Sequence, residues 1–155
     1  MSIKLLVMDV DGTLTDGRIY IGEQGEMMKA FDVRDGYAIA HILPTLGIVP
    51  VIITGRKSEI VVERAKELKI TELYQGVSDK LGQLKVVAEK YCVKAEEIAY
   101  IGDDLNDLDC IKYCGVSACP NDAIDIVKES ADIICSRAGG RGAVREFITL
   151  LERKL

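Results

Sequence analysis

The sequence predicts an α/β fold: a central parallel sheet in a three-layer arrangement, with helices on both faces. Three observations predict it. Short runs rich in Ile, Leu and Val recur along the chain. Amphipathic helical segments separate these runs. Clusters of polar residues directly follow several of them, where ligand-binding loops sit beyond the carboxyl ends of parallel strands. The length of 155 residues suits one compact domain, 1–155.

Strands are expected at 3–8, 48–53, 73–75, 98–101, 116–118 and 133–135. The first crossover is longer than a helix requires. Arg18-Ile19-Tyr20-Ile21 and Glu26-Met27-Met28-Lys29-Ala30-Phe31 flank a loop bounded by Gly22 and Gly25. That pattern reads as a β-hairpin flap inserted at about 17–31. A lone hairpin is marginal in water, so this one should pack on its own domain or on another subunit, with the second arrangement favoured. A helix is expected from near Gly36, and Pro44 should kink or end it. Leu81, Leu84, Val87, Ala88 and Tyr91 share one face of a later helix. Val144, Phe147, Ile148 and Leu151 do the same in the C-terminal tail, about 138–155.

The formal net charge of −5 argues against a nucleic-acid or anionic membrane partner, though not against a phosphorylated substrate. The expected site of action is the cytoplasm. No signal peptide is expected, since the first predicted strand begins at Ile3, and no apolar stretch reaches membrane-spanning length. The five cysteines (92, 110, 114, 119 and 135) are odd in number and suit reduced, mostly buried thiols. Cys110, Cys114 and Cys119 lack zinc-knuckle spacing, and His41 is distant in sequence.

Four polar motifs fall at predicted strand ends or helix starts. They are Asp9-Val10-Asp11-Gly12-Thr13, Thr54-Gly55-Arg56, Lys80 and Gly102-Asp103-Asp104-Leu105-Asn106-Asp107. Each has an ordinary structural reading. Asp-Gly favours turns, Thr54 can cap a helix, and Asp104 and Asp107 suit a helix N-terminus. Lys80 is harder to dismiss, because a cation in the first helical turn opposes the macrodipole unless an anion lies nearby. Together the four suit phosphoryl transfer. A divalent cation held by Asp9, Asp103 and a main-chain carbonyl at Asp11 would offset the repulsion between phosphate and carboxylate. Thr54, Lys80 and backbone N–H groups, that of Gly55 among them, would hold the phosphate oxygens. Asp9 could then act as nucleophile and Asp11 as acid and base. Thr13 adds a hydroxyl.

This order of motifs resembles the haloacid dehalogenase superfamily of phosphohydrolases, whose Rossmann-like fold has the predicted α/β order. The resemblance implies Asp9 as nucleophile and Asp11 as general acid/base. It implies Thr54 and Lys80 as phosphate ligands, and Asp103 as the Mg²⁺ ligand, supported by Asp104 and Asp107. Longer stretches resemble the capless 3-deoxy-D-manno-octulosonate 8-phosphate (Kdo 8-phosphate) phosphatases. These are Asp9–Gly17, Phe31-Asp32-Val33-Arg34-Asp35-Gly36 and Ala138-Gly139-Gly140-Arg141-Gly142-Ala143-Val144-Arg145-Glu146. That closer match implies a homotetramer in which the hairpin and tail close a neighbour's site. The gaps between motifs support the absence of a cap, since neither 13–36 nor 54–80 can hold one.

The expected substrate is a small sugar phosphate. In related phosphatases of nine-carbon keto-sugar acid 9-phosphates the residue after Thr-Gly tends to be acidic; here it is Arg56. Arginine's planar fork suits a carboxylate, so Arg56 and Arg141, with Arg64 and the Gly140 loop, are candidate sugar-acid contacts. For Arg64 a salt bridge on a helix face is an equal alternative. Arg34 and Asp35 suit a structural role at the next helix start. The nine-carbon phosphatases remain one alternative, and a non-catalytic phospho-acceptor receiver domain another. The receiver differs in motif order: here the acidic groups come first and fourth, with Thr and Lys between.

Overall fold

The computed structural model describes residues 2–154. Its main sheet has six strands: β1 (Leu5–Met8), β4 (Val49–Ile53), β5 (Glu72–Tyr74), β6 (Ile98–Ile101), β7 (Val116–Cys119) and β8 (Ile133–Ile134). Their spatial order is β5-β4-β1-β6-β7-β8, with every neighbouring pair parallel. A parallel sheet covered on both faces needs strands that are apolar on both sides, and β1 and β6 are buried at every position.

Alternate side chains divide into two cores. Leu6, Met8, Ile52 and Ile101 pack on one face with Ile39, Leu43, Val61, Phe147 and Leu151. Leu5, Val7, Ile53 and Tyr100 pack on the other with Leu84, Val87, Ile111 and Val127. The first face is covered by Ala38, Ile39 and Leu43, in the turns that follow α1 (Val33–Tyr37), and by α2 (Glu59–Glu67) and α6 (Ala143–Lys154). The second is covered by α3 (Lys80–Tyr91), α4 (Leu108–Tyr113) and α5 (Asp125–Ser130). The chain runs from β1 outward through β4 to β5, then crosses back to β6 on the other side of β1. The crevice beyond β1 and β6 is therefore the topological switch point, the favoured ligand position in such sheets.

The expected hairpin is present but shorter. β2 (Tyr20–Gly22) and β3 (Gly25–Met28) pair antiparallel in a sheet of their own, and Ala30 and Phe31 lie beyond it. The helix expected near Gly36 starts three residues earlier, because the Asp32 carboxylate caps the Arg34 N–H and sets the first turn at Val33. It loosens to a π turn over Ala38–Ile42 and ends in a 3₁₀ turn, Leu43–Leu46, with Pro44 in that last turn. Among the described residues no helix is long and apolar enough to cross a membrane. The five cysteines are free thiols; Cys110, Cys119 and Cys135 are buried, Cys114 is half-buried and Cys92 is exposed.

Candidate active site

Three strand ends and one helix start deliver the site. Asp9 follows Met8 directly, and its N–H bonds to the Ile101 carbonyl at 3.1 Å, which ties the ends of β1 and β6. Thr54 follows β4 and is buried; its N–H bonds to Tyr74 O at 3.0 Å. Lys80 is the first residue of α3 and is 2% exposed.

Lys80 Nζ donates to Asp9 Oδ1 at 2.9 Å and to Asp107 Oδ1 at 2.8 Å. The anions that justify a lysine at a helix N-terminus are thus two carboxylates of the protein itself. Asp107 is fully buried and taken up on both oxygens. Tyr100 OH also donates to Oδ1, at 2.5 Å, while the N–H groups of Asp103 and Asp104 donate to Oδ2 at 3.0 and 3.2 Å. Four donors on one carboxylate make it an organiser of the loop after β6.

Asp9, Asp103 and Asp107 each bring a carboxylate oxygen within 4.8 Å of the others. Burial, then the charge of Asp107, push the Asp9 carboxyl above its ordinary range against the pull of Lys80. Burial and the neighbouring Asp9 push Asp103 up to about 9. Burial alone would lower Lys80, but the two carboxylates outweigh it and raise it. Three carboxylates facing one ammonium leave surplus negative charge, and an all-oxygen donor set of this kind fits a hard divalent cation such as Mg²⁺. Asp104 stands outside this cluster. Its side chain is exposed and caps the Leu105 N–H at 2.7 Å, so Asp107, given only a supporting place from sequence, is the third carboxylate instead.

Asp11 lies at the edge, its side chain 20% exposed, in an ion pair with Lys29 at 2.5 Å. Thr13 Oγ1 donates to Asp103 Oδ1 at 3.2 Å. Gly12 has φ +89°, and a Cβ there would lie 2.0 Å from Asp103 Oδ2. The turn residue therefore has to be glycine for the Asp103 carboxylate to lie across the loop.

The tail loop packs on the same turn. Gly140 N–H donates to Thr13 O at 3.1 Å, and a Cβ on Gly139 would lie 1.9 Å from Gly12 O. Gly139→Ala is expected to push the Asp9–Thr13 loop out of place and lower kcat about 100-fold, as ångström misplacements do. Steady-state kinetics check this, and a kcat within twofold of the parent would contradict it.

The arginines are spread out. Arg56 is half exposed and 3.6 Å from Glu26. Gly55 precedes it at the surface, with the Asn106 amide 3.7 Å from the position of a Cβ. Arg141 is exposed and lines a surface recess with Asp16, Arg34 and Gly140. Arg64 is not brought to the carboxylates: it bridges Glu67 at 3.0 Å and lies over the Phe31 ring at 5.3 Å. Arg34 forks onto Asp32, and Asp35 accepts from the Arg145 N–H at 2.8 Å, joining α1 to α6. Sequence reasoning missed Lys29, Glu26 and Tyr100. Lys29 meets Asp11 across 18 residues, and Tyr100 sits inside an apolar strand, so neither carries a local signal.

A family model of haloacid dehalogenase-like hydrolases matches residues 56–148. The 3-deoxy-D-manno-octulosonate 8-phosphate phosphatase of Escherichia coli K12 is 48% identical over 150 residues, 97% of this chain and 79% of that protein. A crystal structure of the Yersinia pestis phosphatase of the same name superposes with a TM-score of 0.92 at 46% identity, covering 99% of this chain and 84% of that one. The Moraxella catarrhalis phosphatase, crystallised with magnesium ion, phosphate ion and Kdo, superposes with a TM-score of 0.93 at 41% identity, covering 97% and 86%. The family model begins after the Asp9 loop and Thr54, whereas the phosphatase relatives match over nearly the whole chain. The chain belongs to the 3-deoxy-D-manno-octulosonate 8-phosphate phosphatase family of the haloacid dehalogenase-like hydrolases.

Proposed function

We propose that this protein is a Mg²⁺-dependent phosphomonoesterase that hydrolyses Kdo 8-phosphate to Kdo and phosphate. The observation that carries this reading is the Moraxella catarrhalis relative, which holds magnesium, phosphate and Kdo at 41% identity over nearly the whole chain. The carboxylate cluster beyond β1 and β6 agrees with it.

When bound, Mg²⁺ supplies charge neutralisation between phosphate and carboxylates. Asp9 and Asp103, with the Asp11 main-chain carbonyl, would hold it. Lys80 and the Thr54 hydroxyl face the phosphate oxygens, and Lys80 keeps Asp9 oriented. An Asp9 oxygen attacks phosphorus as the bond from phosphorus to the sugar oxygen breaks, and Asp11 gives its proton to that oxygen. In the second half, Asp11 takes a proton from water, the water oxygen attacks phosphorus, and the Asp9–phosphorus bond breaks. Arg56 and Arg141 are proposed to meet the sugar acid's carboxylate, with Gly55 and Gly140 lending main-chain contacts.

The hairpin leaves Ile21, Met27 and Met28 at 72%, 66% and 53% exposure. An apolar surface of this kind suits burial against further copies, and a homotetramer is the assembly proposed. The proposed setting is the cytoplasm, in the supply of Kdo for lipopolysaccharide.

Phosphate release by purified protein, with Mg²⁺ and with EDTA, tests the reading. Kdo 8-phosphate is expected to be cleaved at least about tenfold faster than nine-carbon keto-acid 9-phosphates, and only with the metal. The reverse preference would transfer the protein to the nine-carbon substrates. Light scattering at micromolar concentration tests the tetramer.

A further inference from the structure

Lys29 lies one residue past β3, and its side chain is fully buried. Burying an ammonium is costly unless it is paired. Here it pairs with Asp11 Oδ1 at 2.5 Å and with Glu26 Oε2 at 3.2 Å. Glu26 accepts from Ser58 Oγ and lies 3.6 Å from Arg56. Burial would raise the Glu26 carboxyl, but the Ser58 hydrogen bond and the neighbouring Lys29 and Arg56 cations outweigh it and hold it low. A continuous ionic strut therefore runs from the Asp9–Thr13 loop, through the base of the hairpin, to the loop after β4. Asp11 has no other side-chain partner among the described residues.

We propose that Lys29 is a positioning residue: it holds the Asp11 carboxyl group in the orientation from which the proton reaches the leaving sugar oxygen, with Glu26 as its anchor. The carboxyl group is on a short, partly exposed side chain. Without the strut it would sample its other rotamers, and acid assistance would be lost while the nucleophile stayed in place. Lys29 touches neither substrate nor metal in this role; it acts through Asp11. Glu26 sits on the same ammonium, so the Lys29 charge is shared between two carboxylates.

The proposal rests on the phosphatase reading and is tested by comparing leaving groups. A sugar alkoxide needs a proton to depart, whereas p-nitrophenolate does not. Single-turnover rapid quench with Kdo 8-phosphate and with p-nitrophenyl phosphate reads the first half-reaction alone. Lys29→Met is expected to slow cleavage of the sugar ester about 100-fold, the low end for general acid catalysis, and the aryl ester less than about fivefold. Glu26→Gln, which cuts the strut at its other end, is expected to act in the same direction at about tenfold. Melting curves establish that each variant is folded, and Glu26→Gln decides the question if Lys29→Met is not. Equal slowing of both esters, or an unchanged sugar-ester rate in a folded variant, would overturn the role of Lys29. A wild-type protein that cleaves neither ester would instead overturn the phosphatase reading, and the strut's role with it.

Discussion

Asp9→Asn is expected to lower phosphate release by at least about 10⁴-fold, a typical result of removing a covalent nucleophile. The substitution preserves shape and leaves an oxygen for Lys80 to donate to, so the loss is chemical. The same variant is expected to melt higher than the parent in EDTA at pH 8, because the site holds more buried carboxylates than cations. The sign follows from the direction of the shifts. Burial and neighbouring negative charge raise the folded-state pKa of Asp9, and raise that of Asp103 to about 9. A carboxyl raised on folding contributes its stability below the unfolded pKa and loses it as pH rises through the folded value. The metal-free parent should therefore melt progressively lower between about pH 4 and about pH 9. Mg²⁺ should oppose this most strongly at the alkaline end, where the carboxylates are free to bind it. Melting curves from pH 5 to 9, with Mg²⁺ and with EDTA, check both points. A flat metal-free profile, or an Asp9→Asn variant less stable than the parent at pH 8, would contradict the electrostatic account.

Lys80→Met is expected to cost both stability and rate. The ammonium is the cation shared by Asp9 and Asp107, all three groups being at least nine-tenths shielded from water. Removing one partner of a buried ion pair costs about 3–5 kcal/mol, because the remaining charge stays desolvated. For a chain of this length that corresponds to about a 10 °C fall in Tm in EDTA. Asp107 also orders the Asp103 and Asp104 N–H groups, so the disturbance should reach the whole loop after β6. The rate should fall about 10²–10³-fold, the usual effect of deleting one preorganised donor to a reacting phosphate or oxyanion. Circular dichroism melting and steady-state kinetics measure the two effects. A Tm within about 2 °C of the parent would show that Lys80 is not what balances the cluster.

The strands were legible because a sheet buried on both faces requires continuous apolar runs. Such runs stand out at β1, β4 and β6 without knowledge of their neighbours. The kink at Pro44 was legible because a missing N–H acts locally. The start of α1 was misplaced by three residues, because its cap depends on which way the Asp32 side chain turns. In the candidate site, Asp9, Thr54, Lys80 and Asp103 share a motif order tied to strand ends, which a linear reading preserves. Asp104 and Asp107 have the same residue type three positions apart on one loop. Which one turns inward is set by Lys80 and Tyr100, neither of them adjacent in sequence.

The layer architecture, the hairpin insertion and the order of the polar motifs at strand ends were thus legible along the chain. All of these follow from periodicity, backbone freedom and residue type within short windows. The folded chain places Asp107 rather than Asp104 in the carboxylate cluster, leaves no room for a Cβ at Gly12 or Gly139, and brings Lys29 onto Asp11. Most of these contacts join segments well separated along the chain. Desolvation of a charge and exclusion of a methyl-sized volume depend on what surrounds a residue in space, which its neighbours along the chain do not specify.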